Sequence, residues 1–286
     1  MSLVRGTLPL AVSNIAWPAD EEIAVATTLQ TLGVRFVEIA PTKVFADPTR
    51  TTKTERADYS QFWADHGITI VAFQSMLFGR ADLQIFGDAA VRAETMTVLS
   101  RFIELAGALG AKTLVFGSPK NRIVPPGMGL PEAHDIAVEF FRTLGAVAID
   151  NNTRFCIEPN PTIYDCNFVT TAAAGLDLVS DVEHPGFGLH LDIAGMTLQG
   201  DPLTESIHNA AARINHFHAS APYLGALEDT QVDHAEAARA LRDINYSGYV
   251  SIEMRPGEAG TGPANIASAI KIARARYGDS TSQRAR

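Results

Sequence analysis

The sequence predicts a single closed (β/α)8 barrel, and three observations carry that prediction. Eight short β-rich segments alternate with longer segments of helical period along the 286 residues. Parallel strands need crossover helices, and eight of them close around an interior filled by their own side chains. Composition does not shift along the chain, which is 46% hydrophobic, and barrels of roughly 250 residues commonly form one domain. The other architecture built from such alternation is an open doubly wound sheet. It would usually place a Gly-rich phosphate loop after its first strand, and none follows here.

In chain order the strands are "LAVSNIAW" (10–17), "FVEIAP" (36–41), "ITIVAFQS" (68–75), "KTLVFGS" (112–118), "RFCIEP" (154–159), "GLHLDIA" (188–194), "INHFHAS" (214–220) and "YVSIEMR" (249–255). Between them apolar residues recur at i, i+3, i+4 and i+7. An example is Leu99, Phe102, Ile103 and Ala106, in a helix expected to stop near Gly110. Later, Asp233 is an expected N-cap with Glu236 three residues on, a capping box before Ala237, Ala240, Leu241 and Ile244. The barrel is expected to take residues 1–278. "DSTSQRAR", 279–286, is polar without an apolar period and reads as a flexible tail.

Net charge is −9, which argues against a nucleic-acid partner, because duplex binding needs clustered Lys and Arg to displace counterions. Two cysteines, Cys156 and Cys166, form neither a disulfide framework nor a Cys-rich zinc site and fit a reducing compartment. "LPLAV" is too short for a signal segment, and no apolar run is long enough to span a bilayer. A soluble cytoplasmic protein without membrane contact is expected, with homo-oligomerisation left open.

Barrel chemistry sits where the strands finish. "FCIEPNP" ends an apolar run on Glu158; Asp192 lies near the end of the sixth strand, His218 near the end of the seventh and Glu253 near the end of the eighth. Taken singly, each could cap a strand or pair with a basic neighbour such as Arg255. Three carboxylates buried at one rim, however, are costly unless a cation or protons compensate them. An oxygen-rich set with one imidazole suits Mn²⁺, Mg²⁺ or Co²⁺, with Zn²⁺ also able to bind.

These residues, with "IEPNP", "HLD", "HFHAS" and "YSGYVSIEMRP" around them, resemble the xylose isomerase-like TIM-barrel superfamily. The similarity is to its sugar (phosphate) isomerase/epimerase branch, which includes tagatose 3-epimerase and hydroxypyruvate isomerase. The resemblance implies that Glu158, Asp192, His218 and Glu253 bind one divalent metal and that Glu158 and Glu253 form the acid/base pair. It also implies isomerisation or epimerisation of a polyhydroxy ketone, sugar acid or sugar phosphate through an enediolate. Two features depart from it. Gly195 stands where a substrate-contacting histidine is usual, and "HASAPYLG" lacks the usual arginine after the strand-seven histidine.

For substrate contacts the sequence offers Lys120 and Arg122 in "GSPKNR", Arg255, and the aromatic Trp17, Phe78 and Tyr164 as walls for a sugar face. By alternation His190 shares a face with Asp192, and His216 shares one with His218. Each is expected one layer deeper, either bonded to a ligand carboxylate or satisfied in the core. Glu38 in "VEIAPTK" could also face the interior; Cys156 reads as core. Three other activities fit the same scaffold. They are a metal-dependent lyase of the inosose dehydratase kind, an endonuclease IV-like phosphodiesterase, and a non-catalytic sugar-binding barrel. The phosphodiesterase would need histidines in strands two to four, and "FVEIAP", "VAFQSM" and "LVFGSP" supply none.

Overall fold

A computed structural model describes residues 8–228 and 231–278; the expected tail, 279–286, lies outside the described residues. All eight predicted strands form: β1 Leu10–Ser13, β2 Phe36–Ile39, β3 Thr69–Phe73, β4 Thr113–Phe116, β5 Arg154–Ile157, β6 Phe187–Asp192, β7 Ile214–Ser220 and β8 Val250–Glu253. Each pairs in parallel with the next, and β8 pairs with β1, closing the barrel. The crossovers carry α1 Glu22–Thr31, α2 Pro41–Val44, α3 Lys53–Asp65, α4 Ala89–Leu109, α5 Leu130–Asp150, α6 Ala172–Val182, α7 Ile193–Gln199, α8 Leu203–Asn209 and α9 His234–Asp243, and α10 Gly262–Tyr277 follows β8. Among the described residues, no helix is long and apolar enough to cross a membrane.

Local chemistry sets the boundaries. Gly110 ends α4 in the left-handed conformation at φ 83°, which glycine adopts without a Cβ clash. Asp233 caps α9 by accepting from the Glu236 amide at 2.8 Å. The Glu236 carboxylate, however, accepts from the Thr204 amide and hydroxyl at 3.2 and 2.7 Å, tying α9 to α8. Only the Asp233 half of that expected box therefore forms, whereas Thr52 and Glu55 make both halves at the start of α3. β1 is shorter than predicted. Its chain turns at Ser13, whose hydroxyl accepts from the Ile15 amide at 3.4 Å, and Asn14 Oδ1 accepts from the Ala40 amide at 2.7 Å, binding this turn to the end of β2.

Apolar residues fill the space between strands and helices. Under α5, Phe141 stacks on Phe155 and Phe187 with centroids 6.2 and 4.8 Å away and meets Phe116 edge-on at 5.8 Å. Such pairs add about 0.5–1.5 kcal/mol each beyond burial. This packing fixes β4, β5 and β6 against α5 from outside.

Candidate active site

Strand register assembles the site. Across β6 and β7, His190 pairs with His216 and Asp192 with His218; across β7 and β8, His218 pairs with Ser251 and Ser220 with Glu253. Because side chains alternate across a strand, His190 and His216 form a layer below Asp192 and His218. Glu158 follows β5 directly, its amide donating to the Phe116 carbonyl at 3.2 Å. The space for its carboxylate exists because residue 117 is glycine: a Cβ there would lie 1.8 Å from Glu158 Oε2.

The rim residues line one cavity of about 470 Å³. Glu158, Asp192 and Glu253 supply its acid groups, Gln74, Asn160 and Ser220 neutral polar ones, and Phe78, Tyr164, Tyr223 and Leu224 its apolar wall. Ser75, Tyr223 and Leu224 have φ between 52° and 57°. This left-handed backbone is costly for non-glycine residues and tends to gather at functional sites.

Ligand atoms of Asp192, His218 and Glu253 lie within 4.8 Å of one another, and Glu158 forms a similar group with His190 and His218. The structure thus brings the four expected ligands to one rim, with His218 common to both groups. Asp192 is held firmly: Oδ1 accepts from the Gly195 amide at 2.6 Å, as the N-cap of α7, and Oδ2 accepts from the Ser220 hydroxyl. His218 Nδ1 lies 3.3 Å from Glu253 Oε2.

Electrostatics are severe. Burial, then the charges of Glu253 and Asp192, push Glu158 up to about 8, against the pull of His218 and Arg122. Burial and Glu253 likewise raise Asp192 to about 6. The acid groups compete because too little positive charge lies among them. With Glu158 and Asp192 driven towards protonation, the three carboxylates and the imidazole form a donor set that fits a divalent cation.

Other expected contacts fall elsewhere. Trp17 is fully buried with Lys43 over its ring, 5.1 Å from the centroid, and does not line the cavity, because the turn after β1 carries it into the core. Lys120 is exposed outside the cavity. Arg122, expected beside it on the loop, is completely buried. Its guanidinium donates to the Phe116 carbonyl at 3.1 Å and the Glu158 carbonyl at 2.7 Å, so it clamps the ends of β4 and β5 instead of reaching substrate. Arg255 is exposed and faces a groove with Met254 and Asn265, away from the cavity. Tyr164 and Phe78 do line it.

His190 and His216 are both completely buried in the layer below. His190 Nε2 is 3.9 Å from Glu158 Oε1, too long for a hydrogen bond. Burial, then its two imidazole neighbours, hold His190 well below the usual histidine range. His216 Nε2 is 3.1 Å from Glu38 Oε1, so its acidic neighbour is Glu38 and not a rim carboxylate. Glu38 Oε1 and Oε2 also lie 3.2 and 3.0 Å from His218 Nε2. Burial alone would raise Glu38, yet His218 and His216 outweigh it and hold the carboxyl well below its ordinary value. Gln74, Asn160 and Ser220 line the cavity without any motif that marks them in the sequence. Ser220 was open to discovery, because it alternates with His218 onto the same strand face.

The family described as the xylose isomerase-like TIM barrel matches residues 27–276. D-psicose 3-epimerase of Agrobacterium fabrum is 29% identical over 189 residues, 65% of this chain and 63% of its own length. L-ribulose 3-epimerase of a Methylomonas species is 27% identical over 168 residues, 58% of either chain. The chain therefore spans less than two thirds of the length of these relatives. D-psicose 3-epimerase with D-tagatose from Clostridium cellulolyticum H10 superposes with a TM-score of 0.78 at 18% identity, covering 94% of this chain and 99% of that one. The IOLI protein with a bound zinc atom superposes at 0.76 with 19% identity, covering 94% and 98%. At such identities the likeness is one of fold. The match over residues 27–276 and the closed eight-stranded barrel together place this chain in the xylose isomerase-like TIM-barrel family.

Proposed function

We propose that this chain is a divalent-metal-dependent isomerase that epimerises a small polyhydroxy ketone by proton transfer beside the carbonyl. The observation that carries the reading is Glu158, half-buried at the rim, pushed up to about 8 and sharing one cavity with Glu253 and Asp192. A carboxylate driven towards the proton in a cleft is suited to take one from carbon.

Glu158, Asp192, His218 and Glu253 would hold the cation, with Mn²⁺, Mg²⁺ or Co²⁺ best matched to the oxygen-rich set and Zn²⁺ a competitor. Bound there, it would supply positive charge to the carbonyl and neighbouring hydroxyl oxygens and so stabilise an enediolate. Glu158 removes the proton from one face and Glu253 returns one to the other, the roles exchanging with substrate configuration. They stand at the ends of β5 and β8 with two strands between them, which supports access to both faces. Tyr164 and Phe78 cover apolar sugar surface.

The ketose 3-epimerase relatives support transfer at the carbon next to the carbonyl. Among the described residues that line the cavity there is no Lys or Arg. An uncharged ketose therefore fits it better than a sugar phosphate or sugar acid, whose anion would face three carboxylates with no basic side chain to pair it. Cytoplasmic residence belongs to the same reading, since Cys156 and Cys166 are both free and buried.

Incubating Mn²⁺-loaded and chelated protein with a ketose panel in D₂O tests the proposal. Deuterium beside the carbonyl and an epimeric product, in the loaded protein alone, are expected in NMR spectra. Exchange with loss of water would transfer the chain to the dehydratases, and no exchange with any ketose would sink the reading.

A further inference from the structure

We propose that Glu38 is the residue that positions His218, accepting the Nε2 proton so that Nδ1 is the atom turned to the rim carboxylates. The proposal rests on the metal-dependent reading above for its use, but its geometry stands by itself. Glu38 comes from β2, across the barrel from β7. Its carboxylate is completely buried, and both oxygens lie within 3.2 Å of His218 Nε2. The Ser251 hydroxyl donates to Oε2 at 2.7 Å, and His216 Nε2 stands 3.1 Å from Oε1, so the carboxylate cannot swing away. On the other edge of the same ring, Nδ1 is 3.3 Å from Glu253 Oε2, and His218 groups with Asp192 and Glu253.

A neutral imidazole carries one proton, and the stronger acceptor decides which nitrogen keeps it. A buried carboxylate against Nε2 keeps it there and leaves the Nδ1 lone pair for a cation. A carboxylate behind a ligating histidine also fixes the ring plane and raises its basicity, and losing such a partner typically weakens metal binding by about 10–100-fold. Glu38 touches neither the cavity nor the rim carboxylates, so it acts through His218.

The test uses the full chain labelled with ¹⁵N-histidine, with His218→Asn to assign the signal. In Zn²⁺-loaded wild type we expect His218 to carry its proton on Nε2 and the metal on Nδ1. Metal on Nε2, or a proton on Nδ1, overturns the proposal. Glu38→Gln keeps shape while losing charge. By titration with Mn²⁺ it should bind 10–100-fold more weakly, while its ketose KM at saturating metal stays unchanged. Unchanged Mn²⁺ affinity in a variant whose chelated form melts like wild type also overturns it, as does a stoichiometry of two metals per chain, which would make Glu38 itself a ligand. If Glu38→Gln does not fold, the wild-type spectrum alone decides. If wild type binds no divalent metal, the functional reading fails first. The Nε2 proton is then sought in the metal-free spectrum, where its absence counts against Glu38.

Discussion

On the proposed reading Glu158 and His218 divide the site's work, and single substitutions separate their parts. Glu158→Gln keeps the shape of the side chain beside Gly117 but cannot take a proton, so turnover should fall by about 10²–10⁴-fold, the usual worth of a general base. Circular dichroism should be unchanged, because burial and like charge already work against the carboxylate that is removed. Turnover at the wild-type level would take Glu158 out of the mechanism. His218→Ala removes the one residue common to both rim groups. Mn²⁺ affinity should fall by more than about 100-fold, beyond the loss expected for a mere hydrogen-bond partner of a ligand. Equal affinity in equilibrium titrations would refute its role as a ligand.

At the scale of elements, the site depends on how β4 and β5 end together. Gly117 lets the Glu158 carboxylate pass, and Arg122 ties the Phe116 and Glu158 carbonyls from beneath. Gly117→Ala would set a methyl group 1.8 Å from Glu158 Oε2. The carboxylate must then move, and a displacement near 1 Å can cost about 10²-fold in rate. We expect that loss in kcat, with a melting temperature near that of wild type; undiminished kcat would mean that Glu158 works from another position. Arg122→Met gives up two hydrogen bonds from a charged donor to carbonyls, each worth about 1.5–3 kcal/mol, and a weaker one to Cys166 Sγ at 3.6 Å, so urea unfolding should show a loss of about 3 kcal/mol or more. The strands and the four rim residues were legible in the sequence because each closes an apolar run, and closure of the barrel sends all such ends to one face. Arg122 was not legible. A loop cation is exposed by default, and its burial depends on two carbonyls brought together only by the β4–β5 pairing. Trp17 was misplaced for a similar reason, since the turn at Ser13 that redirects it rests on the bond between Asn14 and Ala40. Glu38 showed its inward face through alternation alone, but its partner, 180 residues away, emerges only when the barrel closes.

For the whole molecule, the crowded charges at the rim tie stability to protons, and the proposed metal binding would enter the same proton balance. Without metal, Glu158 is raised from 4.5 to about 8 and Asp192 from 3.8 to about 6. Between their ordinary values and these, the folded chain holds more protons than the unfolded one, so stability falls as pH rises through that window. His218 runs the same way: burial would lower it, but Glu38 and Glu253 raise it well above 6.5. Its contribution is complete below 6.5 and is lost as pH climbs through the raised value. Glu38 is lowered instead, so its contribution is present above 4.5 and is lost only on acidification; it does not offset the others near neutrality. On the proposed reading a divalent cation would take the place of these protons, and its affinity should therefore rise with pH while binding releases protons. Calorimetry of Mn²⁺ binding at pH 6.5, in buffers of different ionisation enthalpy, should show net proton release. The melting-temperature gap between loaded and chelated protein should widen from pH 5.5 to pH 8. A gap that stays constant, with no protons released, would mean that the metal does not sit among Glu158, Asp192 and His218.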